Sequence, residues 1–186
     1  GRAVVLAGGT DLIPRMKHRL VEPEVLIDLQ QLSELNYIEK KPEFLEIGAL
    51  TSLRDVERSP VVKSLLPALS KAARSIAGPV HRSMGSIGGN ICLENRCPYY
   101  NQSSGWRKSV EPCFKTGGNL CHVAKASKRC HAVYSADLAP VLLLAGASFV
   151  VTDGQVEKVI PSSQFFVDDG LKANVLEREQ LLIKIR

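Results

Sequence analysis

The apolar and polar positions along the chain predict a mixture of short strands and short helices. A continuous apolar run predicts a short buried strand that runs into a turn in VVLAGG, residues 4–9, and VLIDL, residues 25–29, is predicted to be another strand. Alternating apolar and polar residues predict a hairpin formed by YIEK and FLEIGAL. They predict a second hairpin in FVVTDGQVEKVI, which turns at Asp153-Gly154. Since hairpins and helices follow each other without a strict strand–helix–strand rhythm, the pattern favours an α+β fold over a doubly wound parallel sheet.

Helical spacing and capping residues predict the helices. Thr10 can cap DLIPRMKHRL, and Ser52 with Asp55 three positions later is typical of a capping box that opens SLRDVERS. Apolar residues at helical spacing predict a single helix over residues 64–77, ended by the Gly-Pro pair that follows. DLAPVLLLAGA predicts a buried helix, and PSSQFF predicts a short helical turn.

Further predictions concern one internal segment and the two ends of the chain. Residues 84–91 predict a glycine-rich turn that enters a strand. The closing LLIKIR predicts a strand with nothing to pair against, and the chain opens on GRAVVLAGG without an initiator Met. We therefore interpret the sequence as a fragment that starts directly in a strand.

Composition is that of a globular domain with no membrane span. The chain has 186 residues, 45% hydrophobic and 23% charged, and no apolar run approaches the roughly 20 residues that a span needs. No signal peptide is recognisable at the start. These features predict a cytoplasmic location and no membrane partner.

The positive charge is concentrated in one segment. Residues 95–131 contain a single acid, Glu111, and carry a net charge of +6, so that the remaining residues sum to −1 of the chain's +5. The seven basic residues of this segment are Arg96, Arg107, Lys108, Lys115, Lys125, Lys128 and Arg129. Such a patch can attract nucleic acid or an acidic protein, or it can simply be solvated. A cluster of thiolates in the same segment would be offset by these cations.

Two glycine-rich turns are candidates for phosphate binding. AGGTDL follows the first strand, and SIGGNI lies some 75 residues later. Glycine lets the backbone approach a pyrophosphate closely and point several N–H groups at it. Neither turn is GxGxxG or GxxxxGK[ST], which argues against a Rossmann site and against a P-loop enzyme. For either turn taken alone, the alternative to phosphate binding is a tight turn with a purely structural role.

Four of the five cysteines lie close together along the chain. Cys97, Cys113, Cys121 and Cys130 have the spacing C-x15-C-x7-C-x8-C, which is neither a ferredoxin run nor a zinc ribbon. The odd cysteine count and the lack of a secretory context disfavour disulfides. Zinc and an iron–sulfur cluster fit four thiolates equally well. A Cys3His site through His122 or His131 stays open, although hydrogen-bonded histidines fit better.

The two glycine turns in this order resemble the flavin-binding domain of the molybdenum hydroxylases, the group that includes xanthine dehydrogenase and carbon monoxide dehydrogenase. LEIGALTSLRDVERSP, LLPALSKAARSIAGP and SADLAPVLLLAGASFVV support the resemblance, which covers most of the chain. It implies an α+β fold of two small FAD-binding subdomains, residues 1–50 and 51–186, with a C-terminal subdomain missing here. It also implies FAD as cofactor and an oxidoreductase activity.

The resemblance implies a set of FAD-binding residues. Ile76 would lie near the isoalloxazine ring, and Asp137, in an approximate SD-x-x-P motif, would hydrogen-bond the cofactor. The two glycine turns would contact the phosphates and the ribityl chain through Val5, Leu6, Ala7, Gly8, Gly9, Thr10, Asp11, Ser86, Ile87, Gly88, Gly89 and Asn90. The flavin carries the redox chemistry, so no catalytic base or nucleophile is expected in this chain.

The cysteine segment reads as an insertion at residues 95–132 of this domain. With CPYYNQ, W-R and CHV it is similar to the loop in the flavin subunits of 4-hydroxybenzoyl-CoA reductases, where it carries an additional 4Fe-4S cluster. The resemblance implies that Cys97, Cys113, Cys121 and Cys130 are the metal ligands. Cys92, in GGNICLEN, is predicted to be a buried thiol on the strand after the second turn.

The expected function is electron transfer. Electrons would enter from a ferredoxin-like donor, pass through 4Fe-4S and FAD, and leave to a 2Fe-2S small subunit and a molybdenum cofactor large subunit. The large subunit would use them for the reductive dehydroxylation of 4-hydroxybenzoyl-CoA. Nucleic acid is not expected as a partner. One alternative is a xanthine- or carbon-monoxide-type flavin subunit with a structural zinc loop, which passes electrons to NAD or a quinone. A second alternative is a zinc-stabilised nucleic-acid-binding module.

Overall fold

The computed structural model describes residues 3–186, and its strands form two separate sheets. The first sheet pairs β1 (Ala3–Leu6) and β2 (Val25–Asp28) in parallel. The second is antiparallel and has the order β3-β4-β7-β5-β6. Its strands are β3 (Ile38–Lys40), β4 (Leu45–Gly48), β5 (Ser148–Thr152), β6 (Glu157–Pro161) and β7 (Leu181–Ile185).

Nine short α-helices connect and cover these strands in residues 3–186. They are α1 (Leu12–Lys17), α2 (Leu53–Arg58), α3 (Pro60–Leu65), α4 (Pro67–Ser75), α5 (Pro79–Met84), α6 (Ile87–Ile91), α7 (Ser104–Lys108), α8 (Ala139–Leu144) and α9 (Ser162–Phe165). Two 3₁₀ helices lie at Ser33–Leu35 and Phe114–Thr116. The helices are segregated from the antiparallel strands, so the predicted α+β class is confirmed.

The core lies between the five-stranded sheet and the helices that follow it. Phe149 on β5 and Phe165 on α9 are fully buried, with ring centroids 4.5 Å apart. Val56, Leu69 and Leu138 bring α2, α4 and the start of α8 onto the same cluster. Each large apolar side chain buried in this way contributes roughly 1.5–3 kcal/mol.

Both predicted hairpins are confirmed. β3 and β4 pair with Ile38 opposite Ile47, and β5 and β6 pair with Ser148 opposite Pro161. Gly154 has φ +92, a conformation that glycine adopts without steric cost. The helix at residues 53–58 also begins as predicted, because the Ser52 hydroxyl accepts a hydrogen bond from the Asp55 amide at 3.0 Å.

Three predicted helices differ in detail. The single helix expected over residues 64–77 is two, because Pro67 has no N–H to continue α3 and begins α4 instead. The residue that caps α1 is Asp11 rather than Thr10, and no side chain makes the capping bond. Helix α8 is buried on one side only, since Leu144 is 91% exposed.

The expectation of a strand after the second glycine turn is wrong. Residues Ile87–Ile91 form helix α6, and the Ser86 hydroxyl accepts the amide of Gly89 at 3.1 Å as its cap. The helix docks on the segment before α2 through two further bonds, from the Ile87 amide to the Thr51 carbonyl and from the Gly88 amide to the Ala49 carbonyl, each 2.9 Å. Cys92 is consequently the C-cap of a helix and is only partly buried.

The prediction that LLIKIR has no partner is also wrong. Strand β7 lies in the middle of the second sheet and pairs with β4 on one side and β5 on the other. Because β3 and β4 belong to this sheet, the change from one sheet to the other falls between Asp28 and Ile38, before the subdomain boundary expected after residue 50.

The insertion expected at residues 95–132 is closed at its base, so that the loop itself spans residues 97–132. Arg96 and Val133 form an antiparallel bridge, with N–H to O distances of 2.7 and 2.8 Å. Beyond this bridge the segment contains only α7 and the 3₁₀ helix at Phe114–Thr116 as regular structure. Its remaining chain is organised by turns around the cysteines.

Candidate functional site

The two glycine turns lie in direct contact across one cleft. A Cβ on Gly8 would stand 1.7 Å from the Met84 carbonyl oxygen, so only glycine permits this approach. On the other side, a Cβ on Gly85 would come within 3.3 Å of the Thr10 hydroxyl oxygen. The cleft between the turns measures about 540 Å³, within the range usual for small-molecule and cofactor sites.

The backbone amides of the first turn are available to a ligand. The turn follows β1, with Gly9 at φ +70, and it is fixed by bonds to its carbonyls: the Ile13 amide to the Gly9 oxygen at 3.0 Å and the Gln30 amide group to the Ala7 oxygen at 3.0 Å. The N–H groups of Gly8 and Thr10 donate to no group among residues 3–186. Closely spaced free N–H groups in a turn are suited to phosphate oxygens.

The second turn differs in this respect. The amides of Ile87, Gly88 and Gly89 already donate to Thr51, Ala49 and Ser86 respectively. A Cβ on Gly88 would meet the Ala49 carbonyl oxygen at 2.7 Å, so this glycine serves packing. Three amides of the second turn are thus used within the protein, and this turn shapes a wall of the cleft.

Most residues predicted from the resemblance line this one cleft. They are Val5, Ala7, Gly8, Gly9, Thr10, Asp11, Ile76, Ser86, Gly88, Gly89, Asn90 and Asp137. Leu6 and Ile87 do not line it, and Ile87 is completely buried in the core. Asn90 acts inside the protein, because its Oδ1 accepts the amide of Leu138 at 3.3 Å.

Four charged side chains form a network at one end of the cleft. Arg15 donates to Glu94 at 2.6 Å and lies 3.9 Å from Asp11, while Arg96 pairs with the other carboxylate oxygen of Asp11. Arg96 directly precedes the first cysteine of the insertion. The network therefore joins the first glycine turn to the base of the insertion.

Sequence reasoning missed several residues that line the cleft. Arg15 lay in a predicted helix and Arg96 in the basic segment. Nothing in the sequence indicated that these two residues or Ala77 line a cleft. Ser135 also lines the cleft, and its buried hydroxyl has no hydrogen-bond partner among residues 3–186. A buried hydroxyl without a partner is costly, so the cleft suits a ligand with polar atoms.

The four cysteines of the insertion meet around a second, smaller recess. Cys97, Cys113, Cys121 and Cys130 all line it, together with Tyr100 and Lys115. The enclosed space measures about 10 Å³, roughly one water, so a cluster requires side-chain rotations in the insertion. No group of three or more His, Cys, Asp or Glu side chains in residues 3–186 is arranged to hold a single metal ion.

Hydrogen bonds and charge act on these sulfurs. Burial raises the pKa of Cys121, but backbone N–H groups of Ala124, His131 and Val123 outweigh it, and its pKa is below the ordinary value. Burial raises the pKa of Cys130, against the Ala132 amide 3.5 Å from its sulfur and the nearby Lys115 ammonium. N–H groups and cations directed at sulfur are the means by which proteins stabilise thiolate-ligated clusters.

The remaining candidate ligands are accounted for otherwise. The Nε2 atom of His122 lies 2.8 Å from the Glu111 carbonyl oxygen, and that of His131 lies 2.7 Å from the Ser127 hydroxyl. Cys92 lies outside the cysteine recess, and burial raises its pKa to about 12, which keeps it a neutral thiol at neutral pH. Cys92 lines the larger cleft instead.

Residues 1–186 match the family described as "FAD binding domain in molybdopterin dehydrogenase". The chain therefore belongs to this family of FAD-binding domains, and the cleft between its two glycine turns is termed the flavin cleft. Among the described residues no helix has the length and hydrophobicity to cross a membrane.

Particular relatives support this assignment. The chain is 45% identical over 89 residues to the carbon monoxide dehydrogenase medium chain of Hydrogenophaga pseudoflava, a match over 48% of this chain and 31% of the relative. It is 40% identical over 87 residues to the nicotinate dehydrogenase FAD-subunit of Eubacterium barkeri, covering 47% and 29%.

A solved structure matches almost the whole chain. It is carbon monoxide dehydrogenase from Hydrogenophaga pseudoflava lacking the Mo-pyranopterin moiety, with a TM-score of 0.73 and 28% identity over 98% of this chain and 50% of the solved chain. The chain thus spans about a third to a half of these relatives.

Proposed function

We propose that the flavin cleft binds FAD with its pyrophosphate on the first glycine turn. The free amides of Gly8 and Thr10 carry this proposal, since the second turn's amides of Ile87–Gly89 donate within the protein. The Ser135 hydroxyl and the Asp137 carboxylate supply further hydrogen-bonding groups on the cleft wall. When bound, FAD accepts electrons and passes them on, and the residues of the chain bind and orient it.

We further propose that the cysteine recess holds a 4Fe-4S cluster on Cys97, Cys113, Cys121 and Cys130. All four cysteines line this recess, and N–H groups and Lys115 supply positive potential.

The full protein would then act with partner subunits. We infer a molybdenum cofactor large subunit and a 2Fe-2S small subunit, with a ferredoxin-like donor that delivers electrons at the insertion. The substrate would be 4-hydroxybenzoyl-CoA, reductively dehydroxylated on the large subunit, and the complex would be cytoplasmic. The support for this specific reaction is the cysteine insertion, whose spacing is similar to that of the reductases.

A second candidate keeps the flavin and reverses the electron flow. The relatives are named as carbon monoxide and nicotinate dehydrogenases, which favours a subunit that passes electrons outward to NAD or a quinone, with zinc in the insertion. A nucleic-acid-binding module has less support, because it leaves the flavin cleft without a role.

Metal analysis of the full protein, purified anaerobically in its complex, separates these candidates. We expect about four iron atoms per chain beyond those of the 2Fe-2S small subunit, and an EPR signal on reduction in addition to that of the 2Fe-2S centres. Cys113→Ser should lose these four iron atoms and this additional signal, while Cys92→Ser, outside the recess, should keep both. Zinc in place of the four additional iron atoms would favour the dehydrogenase alternative, and a complex with neither zinc nor the additional iron would contradict the cluster.

Substrate turnover then separates the reactions. The complex should dehydroxylate 4-hydroxybenzoyl-CoA with a reduced ferredoxin-type donor. Oxidation of carbon monoxide or a purine with NAD or a quinone instead would support the alternative.

A further inference from the structure

Arg82 is a buried cation beside the flavin cleft. It lies on α5, is 9% exposed, and does not itself line the cleft. Its Nε donates to the Glu57 carboxylate at 2.9 Å, which neutralises the charge inside the protein. Its guanidinium therefore has a fixed position relative to α2.

The same guanidinium holds two consecutive backbone carbonyls. Its Nη1 donates to the Ile76 oxygen at 3.0 Å and to the Ala77 oxygen at 2.9 Å. These residues directly follow α4, where helix carbonyls have no partner within the helix. A cation at this position also interacts favourably with the negative end of the helix.

The carbonyls that Arg82 holds belong to a strained piece of the cleft wall. Ala77 has φ +43, in the left-handed region that residues other than glycine rarely adopt. Ile76 and Ala77 both line the flavin cleft. A residue with this conformation persists only where its surroundings determine it.

We propose that Arg82 is a positioning residue for the flavin: by binding both carbonyls it fixes Ala77 in the left-handed conformation and so presents Ile76 to the cofactor. The proposal rests on flavin binding in this cleft, and it does not depend on the cysteine recess or on the substrate. Ile76 lines the flavin cleft directly, so its orientation bears on the environment of a flavin bound there.

The test compares flavin binding with thermal stability in the full protein within its complex. In Arg82→Gln we expect about tenfold weaker FAD binding, equivalent to about 1.4 kcal/mol, together with a changed visible circular dichroism of the flavin that remains. The matched control is Arg58→Gln on α2, an exposed arginine whose loss removes the same charge. The control should leave the FAD dissociation constant and the flavin spectrum unchanged.

A second substitution isolates the backbone conformation. In the Arg82→Gln background, Ala77→Gly should recover part of the FAD affinity, because glycine adopts φ +43 without steric cost. It should leave the melting temperature lowered, since the Glu57 carboxylate stays unpaired.

Several results would overturn the proposal. If Arg82→Gln lowers only the melting temperature and leaves FAD affinity and the flavin spectrum as in the unmodified protein, Arg82 stabilises the fold and does not position the flavin. If Ala77→Gly in the Arg82→Gln background recovers no FAD affinity, the same conclusion follows, that Arg82 does not position the flavin. If Arg82→Gln does not fold, Arg82→Lys is tested in its place, since lysine keeps the charge but only one of the two carbonyl contacts. Because the proposal requires both contacts, FAD affinity and a flavin spectrum equal to those of the unmodified protein in Arg82→Lys would contradict it. Absence of FAD from the unmodified complex would instead refute the proposed function.

Discussion

Glycine 8 and glycine 88 are required for close packing rather than for an unusual backbone conformation. Gly8 brings the first turn against Met84, and Gly88 brings α6 against Ala49. The sequence pattern assigned both turns to phosphate binding for the same reason, the missing Cβ. The structure divides the roles, since three amides of the second turn donate within the protein, whereas those of Gly8 and Thr10 have no acceptor among residues 3–186.

Gly8→Ala should open the cleft. Its methyl group would overlap the Met84 carbonyl, so we expect the free energy of unfolding to fall by about 1–3 kcal/mol and FAD to be lost on gel filtration. Urea unfolding and the flavin-to-protein ratio measure the two effects. Gly105→Ala on α7, where a Cβ has no neighbour within 4 Å, is the matched control. A Gly8→Ala protein with full flavin content would contradict this prediction.

Glu46 makes a second residue-scale contribution, on β4 inside the five-stranded sheet. Burial acts to raise its pKa, but hydrogen bonds from Arg186 at 2.7 Å and Tyr37 at 3.0 Å outweigh burial, and its pKa is lowered from the ordinary 4.5. A carboxyl with a lowered folded pKa stabilises the protein above its unfolded pKa. This stabilisation is lost as the pH falls below 4.5 through the folded value.

Glu46→Gln should therefore lower the free energy of unfolding by about 1–2 kcal/mol at pH 7, because the partly exposed Arg186 loses its charged partner. The difference from the unmodified protein should shrink as the pH falls below 4.5. Urea unfolding at a series of pH values measures it, with the exposed Glu43→Gln as control. If the difference in unfolding free energy stays constant as the pH falls, the Glu46–Arg186 ion pair does not stabilise the protein as predicted.

Helix α1 connects the flavin cleft to the insertion. It has only six residues, too few to be stable alone, and its Arg15 reaches Glu94 while Asp11 before it reaches Arg96. Arg107 of the insertion also donates to the Arg19 carbonyl, at 2.7 Å, just after α1. The helix is thus held by contacts from both ends of its length.

Arg15→Met and Glu94→Gln should each weaken FAD binding, and the double variant should be no worse than the stronger single one. Because the pair is partly exposed, we expect a coupling energy of about 0.5–1 kcal/mol. Fluorescence titration with FAD measures it. Glu22→Gln, which removes an exposed pair with Arg19, should leave FAD binding unchanged. Additive effects of the two substitutions would show that the pair does not couple.

Local patterns predicted the hairpins and most helices because turns and caps are encoded nearby in sequence, as at Ser52 and Gly154. They failed at α6, since two glycines have low helix propensity and the helix is held by docking on Ala49 and Thr51. They also failed for β7, whose position depends on pairing with distant strands. The cleft was predicted through its glycines, whereas Arg15, Ala77 and Ser135 depend on tertiary placement.

Across the whole molecule, charge is separated from the core fold. The segment at residues 95–131 carries +6 and the rest of the chain −1, and the recess of four cysteines lies within the positive part. An acidic electron donor would be attracted to this region over distances of about a Debye length, roughly 8–10 Å at physiological salt.

Lys125→Glu with Lys128→Glu should therefore slow reduction of the complex by an acidic donor and flatten its dependence on ionic strength. Both lysines are exposed on the insertion, so the fold should be unaffected. Stopped-flow reduction over a salt series measures the association rate. Lys158→Glu, also exposed but on β6, should retain the rate. An unchanged salt dependence in the double variant would place donor docking elsewhere.

The bridge between Arg96 and Val133 has a consequence for how such a domain can acquire a redox centre. Because these residues already pair at the base, the host chain enters and leaves the insertion at one point, whatever length lies between. The entropic cost of closing a loop rises only slowly with its length. With the proposed cluster in its recess, a single genetic insertion at this point would add an electron entry site to an existing flavoprotein, and the same segment could be transplanted into another domain of this family.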